Sequence, residues 1–187
     1  MRDVPAQSFP WKALAAGGVI LGGLGALVLA SRRSGPTTPQ CVALIGDSYA
    51  VGLGPELEKL MPGLRGEAHQ STRTDQWANH TAACGKCGDW LTEFKPDIVL
   101  VALGVNDGPT PNPANYQTIV RALHGIGARV VWIEPPAGVN APVVRSVIAS
   151  LGVSTVPATT IPLAGDKIHP SGTGYAQWAR EIAAAVT

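Results

Sequence analysis

Residues 96–107 read Pro96-Asp97-Ile98-Val99-Leu100-Val101-Ala102-Leu103-Gly104-Val105-Asn106-Asp107, and this stretch decides the fold. The run 97–103 is continuous, rich in branched side chains, and bounded by Pro96 and Gly104. A strand with one wet face alternates apolar and polar residues, whereas an unbroken apolar run suits a strand covered on both faces of a parallel sheet. Outward from it, 41–45 is a second such run ending at Gly46, and 129–133 is a third, stopped by Pro135-Pro136. Weaker strand patterns occupy 66–69 and 153–156. Helical spacing recurs over 55–61, 74–83, 114–124, 142–151 and 175–186. Strands alternating with helices predict an α/β fold, a parallel sheet covered on both faces.

Right-handed crossovers place every strand's C-terminal end on one edge of such a sheet, where ligands bind. Ser48 follows the first strand and Asn106 follows the 97–103 strand, so the topology brings them together. Asp166 and His169 lie three residues apart before the closing helix. In this set Ser48 is the candidate nucleophile and His169 the general base, with Asp166 holding the imidazole tautomer. Asn106 is a side-chain donor for a tetrahedral oxyanion. Singly, each has a plainer reading: Ser48 as a helix cap, Asn106-Asp107-Gly108 as a turn, Asp166 and His169 as capping groups. Their joint occurrence at strand ends favours catalysis.

These segments resemble the blocks of the SGNH (GDSL-like) hydrolases, esterases and lipases with a flavodoxin-like three-layer α/β/α sandwich. Gly46-Asp47-Ser48-Tyr49 matches the first block, with Tyr49 where leucine is often found. Gly104-Val105-Asn106-Asp107 matches the third, and Asp166-x-x-His169-Pro170 the fifth. The resemblance implies an oxyanion hole of the Ser48 N–H, a second-block glycine N–H and the Asn106 side chain. The second block departs: Gln70-Ser71-Thr72-Arg73-Thr74 puts Thr72 at the glycine position. A threonine keeps the N–H but adds a Cβ, which favours a small acyl group. Tyr49, Arg73 and Asp107 adjoin these blocks and are candidate substrate contacts.

The N-terminus is distinct. Residues 13–30 read ALAAGGVILGGLGALVLA, with no charge; as a helix they extend roughly 27 Å, enough for a hydrocarbon core. Trp11-Lys12 and Arg32-Arg33 flank the run as interfacial anchors do. The expected organisation is a tail (1–12), a transmembrane anchor or signal segment (13–31), a Pro/Gly/Ser/Thr linker (32–40) and a hydrolase domain (41–187). A cleaved signal peptide, cut before Ser31, is the alternative to an anchor. Gly18 and Gly22 form a GxxxG pair suited to helix association, and hence to a homo-oligomer.

The formal charge of +1 in 187 residues leaves no basic stripe for nucleic acid. Cys84-Gly85-Lys86-Cys87, with His80 upstream, admits zinc ligation or redox chemistry, but no second CxxC completes a site and Cys41 is expected on a buried strand. A local disulfide or free thiols are favoured, with no metal and no cofactor. Trp77, Trp90 and Trp132 could wall a sugar site or fill the core, and the core is the expectation.

The sequence therefore predicts a serine esterase acting on short-chain esters, with O-acetyl groups on envelope or capsular glycans favoured. Its domain would sit in the periplasm or outside the cell, anchored through 13–31, or be secreted or virion-associated. The domain leaves little material for a lipid-binding lid. A lysophospholipase or thioesterase, and a membrane- or virion-associated structural protein with a decayed site, are the alternatives.

Overall fold

The computed structural model describes residues 40–83, 85–136, 140–157 and 159–186. Five parallel strands form one sheet in the order β2-β1-β3-β4-β5. In chain order these are β1 (Val42–Gly46), β2 (Arg65–Ala68), β3 (Ile98–Ala102), β4 (Arg129–Ile133) and β5 (Ser154–Val156). The helices are α1 (Ser48–Leu60), α2 (Thr74–Ala83), α3 (Gly85–Phe94), α4 (Pro113–Gly125), α5 (Ala141–Ala149) and α6 (Gly172–Val186).

The two faces of the sheet read directly from the period-two geometry of a strand. Leu44, Leu100, Val131 and Ile133 point to one side, where Leu53 and Leu57 of α1 and Trp178 and Ile182 of α6 cover them. Ile45, Val99, Val101 and Trp132 point to the other, against Trp77 of α2, Leu91 of α3, Ile119 of α4 and Ile148 of α5. Both β1 and β3 are buried throughout, which is why their sequences show no alternation. The outcome is the three-layer parallel α/β sandwich that the sequence predicts.

Chain order reverses between β1 and β3, the central pair, so the crevice beyond their C-terminal ends is the switch point of the sheet. Hydrogen bonds continue past the strands there: Asp47 N–H donates to Ala102 O and His69 N–H to Gly46 O, each at 3.0 Å. The loops that follow β1, β2 and β3 are thereby tied to one rigid edge.

Three expectations change. Helix α1 begins at Ser48 rather than at residue 55, so Ser48 stands in its first turn. Gly52 and Gly54 hide that start, since glycine lowers helix propensity. Helix α3 has no counterpart among the predicted elements, because Gly85 and Gly88 dilute a short apolar face of Trp90, Leu91 and Phe94. Cys41 is exposed and precedes β1, so it is not on a buried strand. The hydrophobic segment 13–31 and its linker up to residue 39 lie outside the described residues, as do Cys84 and the side chains of His80 and Cys87. Among the described residues no helix is long and apolar enough to cross a membrane, and no group of His, Cys, Asp and Glu is arranged to hold a metal.

Candidate active site

Ser48, Asp166 and His169 converge at the switch point. His169 Nε2 lies 2.9 Å from Ser48 Oγ, and His169 Nδ1 lies 2.7 Å from Asp166 Oδ2. The Asp166 carboxyl is held down at about 2, chiefly by its hydrogen bond to His169 and then by the Ile168 and His169 N–H groups. An ionised carboxylate only accepts, so Nδ1 carries the hydrogen and Nε2 presents its lone pair to the serine. That is the tautomer a general base needs.

The loop that carries the base is built locally. Asp166 Oδ1 accepts the N–H groups of Ile168 and His169, each at 3.0 Å, while Lys167 turns the chain at φ 59°. Ala164 N–H donates to His169 O at 2.8 Å and closes the loop's neck. Tyr49 supplies a tertiary brace: its hydroxyl donates to Ile168 O at 3.1 Å, and its ring meets that of His169 edge-on with centroids 5.8 Å apart. Tyr49 is 2% exposed and does not border the cavity, which corrects its reading as a substrate contact. It couples the residue after the nucleophile to the loop of the base.

Asp47 caps α1 by accepting Tyr49 N–H at 2.9 Å. It is fully buried, and its second carboxylate oxygen has no partner among the described residues. Burial pushes this carboxyl up to about 7, against the opposing pull of the Tyr49 N–H.

The oxyanion side is assembled from the loops after β2 and β3. Asn106 Nδ2 donates to Thr72 O at 3.0 Å, which orients the amide. Thr72 turns its own groups into the loop: Oγ1 donates to His69 O at 2.9 Å and accepts from Trp77 Nε1 at 3.2 Å, and its N–H lies 3.5 Å from His69 O. Ser71, by contrast, borders the cavity in the left-handed conformation at φ 62° that glycine favours. Ser71 therefore borders the cavity where Thr72 was expected to, and the Thr72 Cβ does not line the pocket. Gly104, at φ 117°, opens the turn to Asn106, and a Cβ there would stand 2.6 Å from Tyr116 Oη.

The two other expected substrate contacts do not border the cavity. Asp107 is buried; its Oδ1 accepts Thr74 N–H at 2.9 Å and its Oδ2 accepts the Thr74 hydroxyl, so it caps α2. Arg73 has a side chain 54% exposed, with its Nε 3.5 Å from Asp75. Trp77 and Trp132 are buried, and the indole of Trp90 donates to Glu67 at 2.7 Å; none of the three borders the cavity.

Ser48, Asn106 and His169 open onto a cavity of about 590 Å³. Its other polar groups are Gln70, Ser71 and Asn140, and its apolar wall includes Val51, Val105, Ile168 and Tyr175. Asn140 and Tyr175 were not anticipated. Asn140 follows β4 at the same sheet edge, a placement that topology alone could have flagged. The arrangement suits attack by Ser48 on an acyl carbon, with the carbonyl oxygen turned towards Asn106.

The sequence pattern of the GDSL-like lipase/acylhydrolase family matches residues 44–186. The chain belongs to that family. Among solved structures it is similar to an SGNH hydrolase from Slackia heliotrinireducens, with TM-score 0.64 and 18% identity over 80% of this chain and 100% of that one. It is also similar to the catalytic domain of the Streptococcus pneumoniae peptidoglycan O-acetyltransferase A, with TM-score 0.60 and 21% identity over 79% of this chain and 92% of that one. A family two carbohydrate esterase from Clostridium thermocellum gives TM-score 0.55 and 13% identity over 81% of this chain and 65% of that one. At these identities the likeness is one of fold. No curated protein matches the chain. Within this GDSL-like hydrolase, Ser48, Asn106, Asp166 and His169 occupy the positions that the blocks assign to them.

Proposed function

We propose that this GDSL-like hydrolase is a serine esterase that removes short acyl groups, above all O-acetyl groups, from glycans at or beyond the cell envelope. The observation that carries the reading is the continuous chain Ser48 Oγ–His169–Asp166, at 2.9 and 2.7 Å. Ser48 Oγ attacks the ester carbonyl carbon and passes its proton to His169 Nε2. The carbonyl oxygen becomes an oxyanion that takes hydrogen bonds from Asn106 Nδ2 and from the Ser48 and Ser71 N–H groups. The carbon–oxygen bond to the alcohol then breaks, and His169 returns the proton to the departing oxygen. Water repeats the sequence on the acyl-enzyme, releasing the acid and restoring Ser48.

The uncharged wall favours a neutral ester, since among the described residues no Lys or Arg lines the cavity to meet an anionic head group. Such a geometry also speaks for an enzyme over a decayed, purely structural relative. An envelope location rests on the hydrophobic segment 13–30, read as an anchor. The likeness in fold to a peptidoglycan O-acetyltransferase domain and a carbohydrate esterase agrees with a glycan substrate.

The test is hydrolysis of p-nitrophenyl acetate, butyrate and octanoate by the full chain. Ser48→Ala is expected to remove activity by roughly 10⁴-fold or more, and Asn106→Ala to lower kcat about 100-fold. The order of rates among the three esters tests the preference for a short acyl group. Equal rates for Ser48→Ala and the parent would sink the proposal.

A further inference from the structure

Tyr175, in the first turns of α6, borders the cavity. A Cβ placed on Gly52 of α1 would lie 2.1 Å from Tyr175 Cζ and 2.4 and 2.5 Å from its two Cε atoms. A point in the ring plane beyond Cζ would stand clearly farther from both Cε atoms, so Gly52 lies against the ring face. Only a residue without a side chain admits this stacking, and Gly52 and Tyr175 border the cavity together. The Tyr175 hydroxyl makes no hydrogen bond among the described residues.

The surroundings define what such a face can take. Gln70 and Asn140 offer amides and Ser71 a hydroxyl, while no Asp, Glu, Lys or Arg among the described residues borders the cavity. An aromatic face ringed by neutral donors and acceptors fits a ring that is C–H on its faces and hydroxyl at its rim, an uncharged pyranose. The esterase reading assigns this ring to the alcohol half of the ester, to which His169 returns its proton.

The geometry points to a saccharide subsite in which Tyr175, seated on Gly52, stacks against the sugar whose hydroxyl is acylated, with Gln70 and Asn140 as partners for its free hydroxyls. This deepens the esterase reading and depends on it for which half of the ester lies here.

The test is binding, read by ligand NMR, of methyl 6-O-acetyl-glucopyranoside to the full-chain Ser48→Ala protein. Cyclohexylmethyl acetate serves as a ring of similar size without hydroxyls. Adding Tyr175→Ala, or Gly52→Ala to displace the ring, is expected to weaken sugar-ester binding about tenfold. Tyr175→Phe should retain most of it, which separates a lost platform from a misfolded protein. No binding to Ser48→Ala, binding indifferent to Tyr175→Ala and Gly52→Ala, or equal losses for the cyclohexyl ester would overturn the subsite. Turnover of vinyl acetate by the parent protein is read separately. Its absence beside Tyr175-dependent sugar binding would sink the esterase and keep the subsite, and the converse result would sink the subsite alone.

Discussion

Ser71 is the most instructive residue of the loop after β2. It holds φ 62°, a conformation that costs an L-residue roughly 1–2 kcal/mol and glycine almost nothing. Its neighbour Thr72, which by linear matching occupies the glycine position, has side-chain bonds to His69 O and Trp77 Nε1 that glycine could not make. The two positions therefore respond oppositely to the same replacement. Ser71→Gly is expected to stabilise by about 1 kcal/mol, after the entropy that glycine adds to the unfolded chain, raising Tm by roughly 2–4 °C. Thr72→Gly is expected to destabilise by about 1–2 kcal/mol, because it removes both bonds and loosens the loop that orients Asn106. Thermal unfolding of the two variants decides between them, and a stabilised Thr72→Gly protein would restore the original alignment.

At the scale of elements, catalysis depends on keeping the exposed loop 163–170 in register with the first turn of α1. Asp166 and His169 are 48% and 38% exposed at their side chains, so burial does little to fix them. Tyr49 reaches the loop from the buried side through Ile168 O, which leucine at that position could not do. Tyr49→Phe keeps the ring contacts and removes the donor. The expected outcome is a fall in kcat of about fivefold with KM unchanged, the equivalent of one hydrogen bond of about 1 kcal/mol. Tm should move by only a few degrees. Steady-state kinetics on p-nitrophenyl acetate check this, and a loss confined to KM would return Tyr49 to a substrate-binding role. The same elements explain what the sequence disclosed. Strands β1, β3 and β4 were legible because burial on both faces leaves unbroken apolar runs, and the boundaries of α2 and β4 coincide with prediction. The candidate nucleophile Ser48, the candidate base His169 and Asn106 were legible as a group because strand ends and short motifs are local. Gly52, the seat of Tyr175, was not legible; that contact comes from α6 packing on α1, which no local pattern encodes.

For the whole molecule, two carboxyls give stability opposite dependences on pH. Asp166 is lowered from 3.8 to about 2, so its contribution is present above about pH 4 and is lost as pH falls towards 2. Asp47 is raised from 3.8 to about 7, so between those values the folded protein holds a proton that the unfolded chain has released. Folding is then linked to proton uptake, and stability from this group declines as pH rises from about 4 to about 7 and levels off above it. Asp47→Asn removes that linkage. The amide oxygen can still accept Tyr49 N–H, but its NH₂ puts two donor hydrogens where the neutral carboxyl has one, with no acceptor among the described residues, a cost of about 1–3 kcal/mol. The variant is therefore expected to melt below the parent at pH 5, with the gap narrowing by pH 8 as the parent bears the ionisation of a buried carboxyl. Melting curves of both full chains at the two pH values test this. Parallel pH dependences would mean that Asp47 is solvated or paired in solution, and the buried edge of the sheet beneath Ser48 would then have to be wetter than its packing implies.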